Sequence, residues 1–207
     1  RPLTCRFHQP PPIQTMLLVE EKRIPMAVSL VPMRSYGDKP REFLNKVPSG
    51  LLPAIEVTAA GADNPFGLRP GQVVTESQVI MELLDAWYGA DRGFRPMLPE
   101  SAEGQVRYQR LARLERELFG AWCSLVFRPD IMSGGGGNPL NRLLGKDDES
   151  AMSGAMRTFL DCIRRVDEEL GRTKGPWFFE EHDYPTMIDF ICVSHVERML
   201  ASCAHWK

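Results

Sequence analysis

The chain has 207 residues, enough for one large domain or two small ones with a substantial core. Its 43% hydrophobic and 25% charged residues read as an ordinary soluble globular protein. A formal net charge of −2 gives no electrostatic reason to invoke nucleic acid or an anionic membrane, and no apolar run approaches the roughly 18 residues of a transmembrane segment. Cys5, Cys123, Cys162, Cys192 and Cys203 are scattered, odd in number and without a C-x-x-C pair. They read as small core hydrophobes or inert thiols in a reducing compartment, not as a disulfide framework or metal site. Because the chain opens at Arg1, removal of an upstream leader or transit peptide is expected, and cytoplasm and plastid stroma are both open as locations.

Leu3–His8 alternates Leu3, Cys5 and Phe7 against Thr4, Arg6 and His8, the period-2 pattern of a first strand. Gln9-Pro10-Pro11-Pro12 is a stiff loop, with Pro12 suited to the first turn of a helix over Ile13–Arg23. Met26–Val31 reads as a second strand, and Tyr36–Asn45 as a short irregular helix. Pro48, Ser49 and Gly50 form a turn leading into a buried strand at Ala54–Thr58, with Leu51, Leu52 and Pro53 before it. Residues 60–72 form a long hairpin loop, Val73–Val74 a short fourth strand, and Ser77–Tyr88 an amphipathic helix. The order β-α-β-α-β-β-α predicts a thioredoxin-like module over residues 1–88.

Residues 89–99 read as a linker, punctuated by Gly89, Gly93, Pro96 and Pro99. Beyond it, residues 100–207 are predicted all-helical. Glu103–Val126 carries Leu111, Leu114, Leu118, Trp122 and Leu125 at helical spacing, and Ser150–Leu170 repeats the pattern. Between them, Gly134–Gly137 lacks the ending of a phosphate loop and reads as a surface tract. A third helix opens at Thr186, an N-cap residue with Asp189 three positions on.

Several stretches resemble the glutathione transferase superfamily. Val47–Val57 is similar to its Asn-Pro-x-Gly-Lys-Val-Pro-x-Leu element, and Val73–Ile80 to its hydrophobic, Glu/Asp-Ser, x, Ala/Val-Ile element. Glu20-Glu21-Lys22-Arg23-Ile24-Pro25 resembles the end of the family's first helix, and Gly175–Phe179 with Thr186 and Asp189 resembles its helical-domain hallmark. The resemblance implies a thioredoxin-like domain followed by an all-helical domain, a cis bond at Leu52–Pro53, and glutathione as co-substrate without a metal. It implies that the backbone of Leu52 beside Pro53 pairs with the cysteinyl part of glutathione, and that Glu76 and Ser77 hold its γ-glutamyl end. A purely structural role as helix caps explains Glu76 and Ser77 as well.

The activating position departs from the family. The dehydroascorbate reductase and omega-like classes carry Cys-Pro-Phe/Tyr-Cys/Ser before the first helix, where this chain has Gln9-Pro10-Pro11-Pro12. Gln9 cannot ionise, although its amide can donate one hydrogen bond to a thiolate. His8 is the other candidate beside it. A second departure is Leu51, where the family often has a Lys or Gln for the glycyl carboxylate; Lys46 is the nearby cation. In the helical domain, Tyr108, Phe119 and Trp122 read as bundle core or as an acceptor-pocket wall.

Two readings stand. One is a glutathione transferase-like protein that binds glutathione and conjugates or reduces small electrophiles, with homodimerisation expected from the resemblance. The other is a catalytically inactive subunit or binding module that docks to a larger protein assembly, its helical domain incomplete at the end.

Overall fold

The computed structural model describes residues 4–8, 13–29, 31, 39–59, 66–127 and 154–205. The described elements are β1 (Thr4–His8), α1 (Ile13–Glu21), β2 (Ala27–Ser29), α2 (Arg41–Lys46), β3 (Ala54–Ala59), β4 (Val73–Thr75) and α3 (Ser77–Trp87). A single 3₁₀ turn (Ala90–Arg92) precedes α4 (Ala102–Phe127), α5 (Gly154–Leu170) and α6 (Met187–His205). The chain divides into two compact units, Arg1–Glu100 with Asp189–Ser194, and Ser101–Ile188 with His195–Lys207.

In the first unit, one four-stranded sheet runs in the order β2-β1-β3-β4. β1 is parallel to β2 and antiparallel to β3, and β3 is antiparallel to β4. The order of strands and helices is the thioredoxin-like one expected. α3 buries Ile80, Met81, Leu84 and Trp87 completely, the i, i+1, i+4, i+7 face of an amphipathic helix. The indole of Trp87 lies between Phe66, stacked at 5.9 Å, and the Arg92 guanidinium, 5.8 Å from the ring centroid.

The first helix is shorter than its apolar pattern suggests, stopping at Glu21 instead of Arg23. Arg23 takes φ 51°, and the Arg23 and Ile24 amides donate to the carbonyls of Glu20 and Val19 at 3.0 Å each. This is a Schellman closure, with a hydrophobic contact of the kind that accompanies it available from buried Val19 and Ile24. The resembling family motif has glycine at the Arg23 position; here an L-residue carries the left-handed conformation. The residue before it, Lys22, is sealed inside. Its side chain is 0% exposed, and its ammonium meets Asp85 Oδ1 and donates to the Tyr88 carbonyl, both at 2.6 Å. Asp85 also accepts the Met97 amide at 2.9 Å, tying α1, α3 and the segment after it together.

Other boundaries shift by a few residues. β2 begins at Ala27, α2 begins at Arg41 behind Pro40, and α6 continues to His205. Pro40 explains the second shift, because proline fits a helix N-terminus and its φ of −56° suits the chain there. The segments expected as part of α2 at 36–38, as loop at 60–65 and as the glycine tract at 134–137 lie outside the described residues.

In the second unit, Leu118, Ala121, Cys162 and Met199 form a buried cluster, with Trp122, Phe159, Ile163 and Val166 packed around it. Ion pairs follow the α4–α5 seam: Arg165–Glu117 at 2.7 Å, and Arg110 and Arg172 on Glu169 at 3.1 and 3.2 Å. Arg107 donates to the Glu169 carbonyl at 3.4 Å and lies over the Phe179 ring. Cations placed at the end of α5 complement its helix dipole. Among the described residues, no helix is long and apolar enough to cross a membrane.

Candidate functional site

The turn before β3 builds one side of the site. Gly50 donates to the Val47 carbonyl at 2.9 Å and takes φ +63°, a conformation that glycine adopts without a side-chain clash. Leu52 packs its side chain on the cluster of Val31, Phe43, Val47 and Ala54. With that side chain held inward and Pro53 buried, the Leu52–Pro53 peptide is cis, as the resemblance implies.

The second side comes from the strand register. Ala54 pairs with Thr75, Ile55 with Val74 and Glu56 with Val73. Outward from the Ala54–Thr75 pair, Pro53 and then Leu52 follow on one strand, and Glu76 and then Ser77, the first residue of α3, on the other. Four residues far apart in sequence thus share one end of the β3–β4 hairpin. Glu76 takes φ 70° and ψ 114° and makes no side-chain capping bond to α3, while remaining exposed. Side-chain helix capping therefore does not account for Glu76. An acidic residue held in a sparsely populated backbone conformation beside a helix start is the sort of local strain that clusters at ligand sites.

Lys46, the nearby cation in the sequence, is engaged with Glu56 Oε2 at 2.8 Å. Leu51 itself is 59% exposed. Lys39, which has a partner of its own, also lies by the turn: its Nζ is 3.8 Å from where a side chain on Gly50 would begin, with Leu44 Cδ2 at 3.4 Å. Eleven residues separate Lys39 from Gly50, with α2 between, so no motif spacing pointed to it.

Residues 12–87 match the family model for the glutathione S-transferase N-terminal domain. Solved structures extend the likeness along the chain. A glutathione transferase Omega 3C from Trametes versicolor matches with TM-score 0.61 and 16% identity, covering 96% of this chain and 74% of its own. Residues 12–87 thus match a glutathione S-transferase N-terminal domain, and nearly the whole chain shares the glutathione transferase fold. A glutathione S-transferase from Methylobacillus flagellatus, solved with glutathione bound, matches with TM-score 0.63 and 16% identity, over 98% of this chain and 85% of its own. The Tau class enzyme of mango, Mangifera indica, gives 0.64 and 11% over 94% and 75%. At such identities these neighbours show the shared fold. No curated protein sequence matches the chain.

The remaining candidates in this transferase fold are placed as follows. His8 ends β1, paired in register with Ser29, and its side chain lies outside the described residues, as does Gln9 altogether. Tyr108 is buried and bonds Met187 Sδ at 3.4 Å, which makes it a core residue. Phe119 and Trp122 are half-buried, their rings tilted together at 5.7 Å. Burial pushes the thiols of Cys123 and Cys162 up from their ordinary value, with Arg198 and Arg165 respectively pulling back. Cys162 is buried in the helical core, as expected of a small hydrophobe. Among the described residues, no group of three His, Cys, Asp or Glu side chains is arranged to hold a metal ion.

Proposed function

We propose that the protein binds glutathione and conjugates it to small electrophiles. One observation supports this reading: the β3–β4 ladder ends at Ala54–Thr75, so Leu52 and Pro53 leave the same end of the hairpin as Glu76 and Ser77, with Glu76 at φ 70° and making no side-chain capping bond. In this reading the backbone of Leu52 pairs with the cysteinyl unit. Glu76 and Ser77 take the γ-glutamyl end, where the carboxylate suits the α-ammonium and the hydroxyl and α3 amides suit the α-carboxylate. Lys39 faces the glycyl carboxylate in place of Leu51. Catalysis then rests on positioning the thiol and on hydrogen-bond donors, with Gln9 the donor expected from sequence.

Isothermal titration with reduced glutathione tests the reading on wild type and on the Glu76→Ala, Ser77→Ala double variant. Lost charge-assisted hydrogen bonds are worth about 1.5–3 kcal/mol, so the double variant is expected to bind at least about tenfold more weakly. Lys39→Ala is expected to weaken binding less, through the glycyl end alone. Absence of heat at millimolar glutathione with folded wild type would refute the proposal and favour the binding-module reading.

A further inference from the structure

The turn before β3 presents one side chain outward. The Gly50 amide donates to the Val47 carbonyl at 2.9 Å, and the Leu51 amide donates to Ser49 Oγ at 3.3 Å. With its backbone tied back into the turn, Leu51 is left 59% exposed, while Leu52 beside it packs inward on Val31, Phe43, Val47 and Ala54. A second aliphatic side chain meets the same turn. Leu44 of α2, 36% exposed, brings Cδ2 to 3.4 Å from where a side chain on Gly50 would begin. Leu44 and Leu51 thus flank Gly50, and Lys46 nearby is turned to Glu56.

Exposed leucines are common on protein surfaces and need no explanation one by one. The place of this pair gives it meaning. With the cysteinyl unit of a thiol paired to the Leu52 backbone and its γ-glutamyl end at Glu76 and Ser77, the direction of the ligand is fixed. Pro53 and Ala54 lead into the β3–β4 ladder on one side of Leu52, and Leu51 lies on the other. In an antiparallel pairing one chain advances as the other retreats, so the unit after cysteine falls against Leu51, with Leu44 across Gly50. Glycine carries no side chain to cover them. An aliphatic side chain on that unit would take its own apolar surface, and that of the leucines, out of water.

We infer, resting on the glutathione-type reading above, that this site prefers to glutathione itself γ-glutamyl-cysteinyl tripeptides whose third residue carries an aliphatic side chain. Leu51 is the specificity-determining residue and Leu44 the second wall. Glu76, Ser77 and the Leu52 backbone hold the part common to all such thiols, and the two leucines read the residue after it. A polar third side chain gains nothing there, because it would exchange water for groups that cannot hydrogen-bond.

Isothermal titration with three synthetic thiols tests this: glutathione, γ-glutamyl-cysteinyl-valine and γ-glutamyl-cysteinyl-serine. Valine adds three carbons, and burying about half of that surface tightens binding by about tenfold over glutathione. The seryl thiol is expected to bind no better than glutathione. In Leu51→Gln, shown to be folded by circular dichroism, the valyl thiol is expected to keep no more than about a twofold advantage. Wild type that binds glutathione as tightly as the valyl thiol, or the seryl thiol as tightly as the valyl one, overturns the inference and leaves the glutathione-type reading standing. Absence of heat with all three thiols overturns both. A tenfold preference retained in folded Leu51→Gln also overturns the inference, and the wild-type comparison decides alone where the variant does not fold.

Discussion

Removing Asp85 is the most severe single perturbation the first unit offers. Asp85→Ala strands the Lys22 ammonium, whose side chain is 0% exposed, and orphans the Met97 amide. Breaking a buried pair from one side costs about 3–5 kcal/mol, and for a chain of this size each kcal/mol moves Tm by about 2–4 °C. Thermal unfolding followed by circular dichroism should therefore show a fall of about 6–20 °C. Asp85→Asn keeps an acceptor for Met97 and removes only the charge, so it should fall between wild type and Asp85→Ala. The double variant Lys22→Met, Asp85→Leu should be more stable than Asp85→Ala, because no uncompensated charge remains buried. A drop below about 2 °C for Asp85→Ala, or a double variant worse than the single one, would refute the assignment of this pair as the lock between α1 and α3.

Three further outcomes follow from local conformation and burial. Arg23→Gly should raise Tm, since an L-residue in the left-handed closing position of α1 costs on the order of 1 kcal/mol that glycine does not. Glu76→Gly should likewise relieve strain at φ 70° and raise Tm while weakening glutathione binding, opposite signs readable in one melt and one titration. The thiols of Cys123 and Cys162 should react slowly with Ellman's reagent at neutral pH, because burial raises both above their ordinary value and the thiolate is scarce. That stabilisation of the neutral thiol is present below the unfolded-state value and is lost as pH rises through the higher folded value, so Cys162→Ala should flatten the alkaline decline in stability.

What could be read from the sequence was local or periodic. The alternation in Thr4–His8, the apolar face of Ile80, Leu84 and Trp87, and the turn at Pro48–Gly50 each declare their element within a few residues. Strand order then follows from few alternatives once a β-α-β-α-β-β-α series is recognised. The misses are long-range. The partner of Lys22 lies 63 positions on, and no pattern signals that a lysine is buried. Lys46 pairs with Glu56 on the following strand, a contact that no local pattern announces. The apolar pattern of Ile13–Arg23 carries the first helix to Arg23, whereas the chain turns there through a closure that usually uses glycine.

The central claim is that glutathione is held at the shared end of β3 and β4. The most direct test is a ¹⁵N-HSQC titration of the folded protein with reduced glutathione, following backbone amides. The account predicts saturable shifts at Leu52 and at Ser77, on the two sides of the register, at micromolar to low-millimolar ligand. Silent Leu52 and Ser77 amides at millimolar glutathione, or saturable shifts confined to residues away from both, would contradict it.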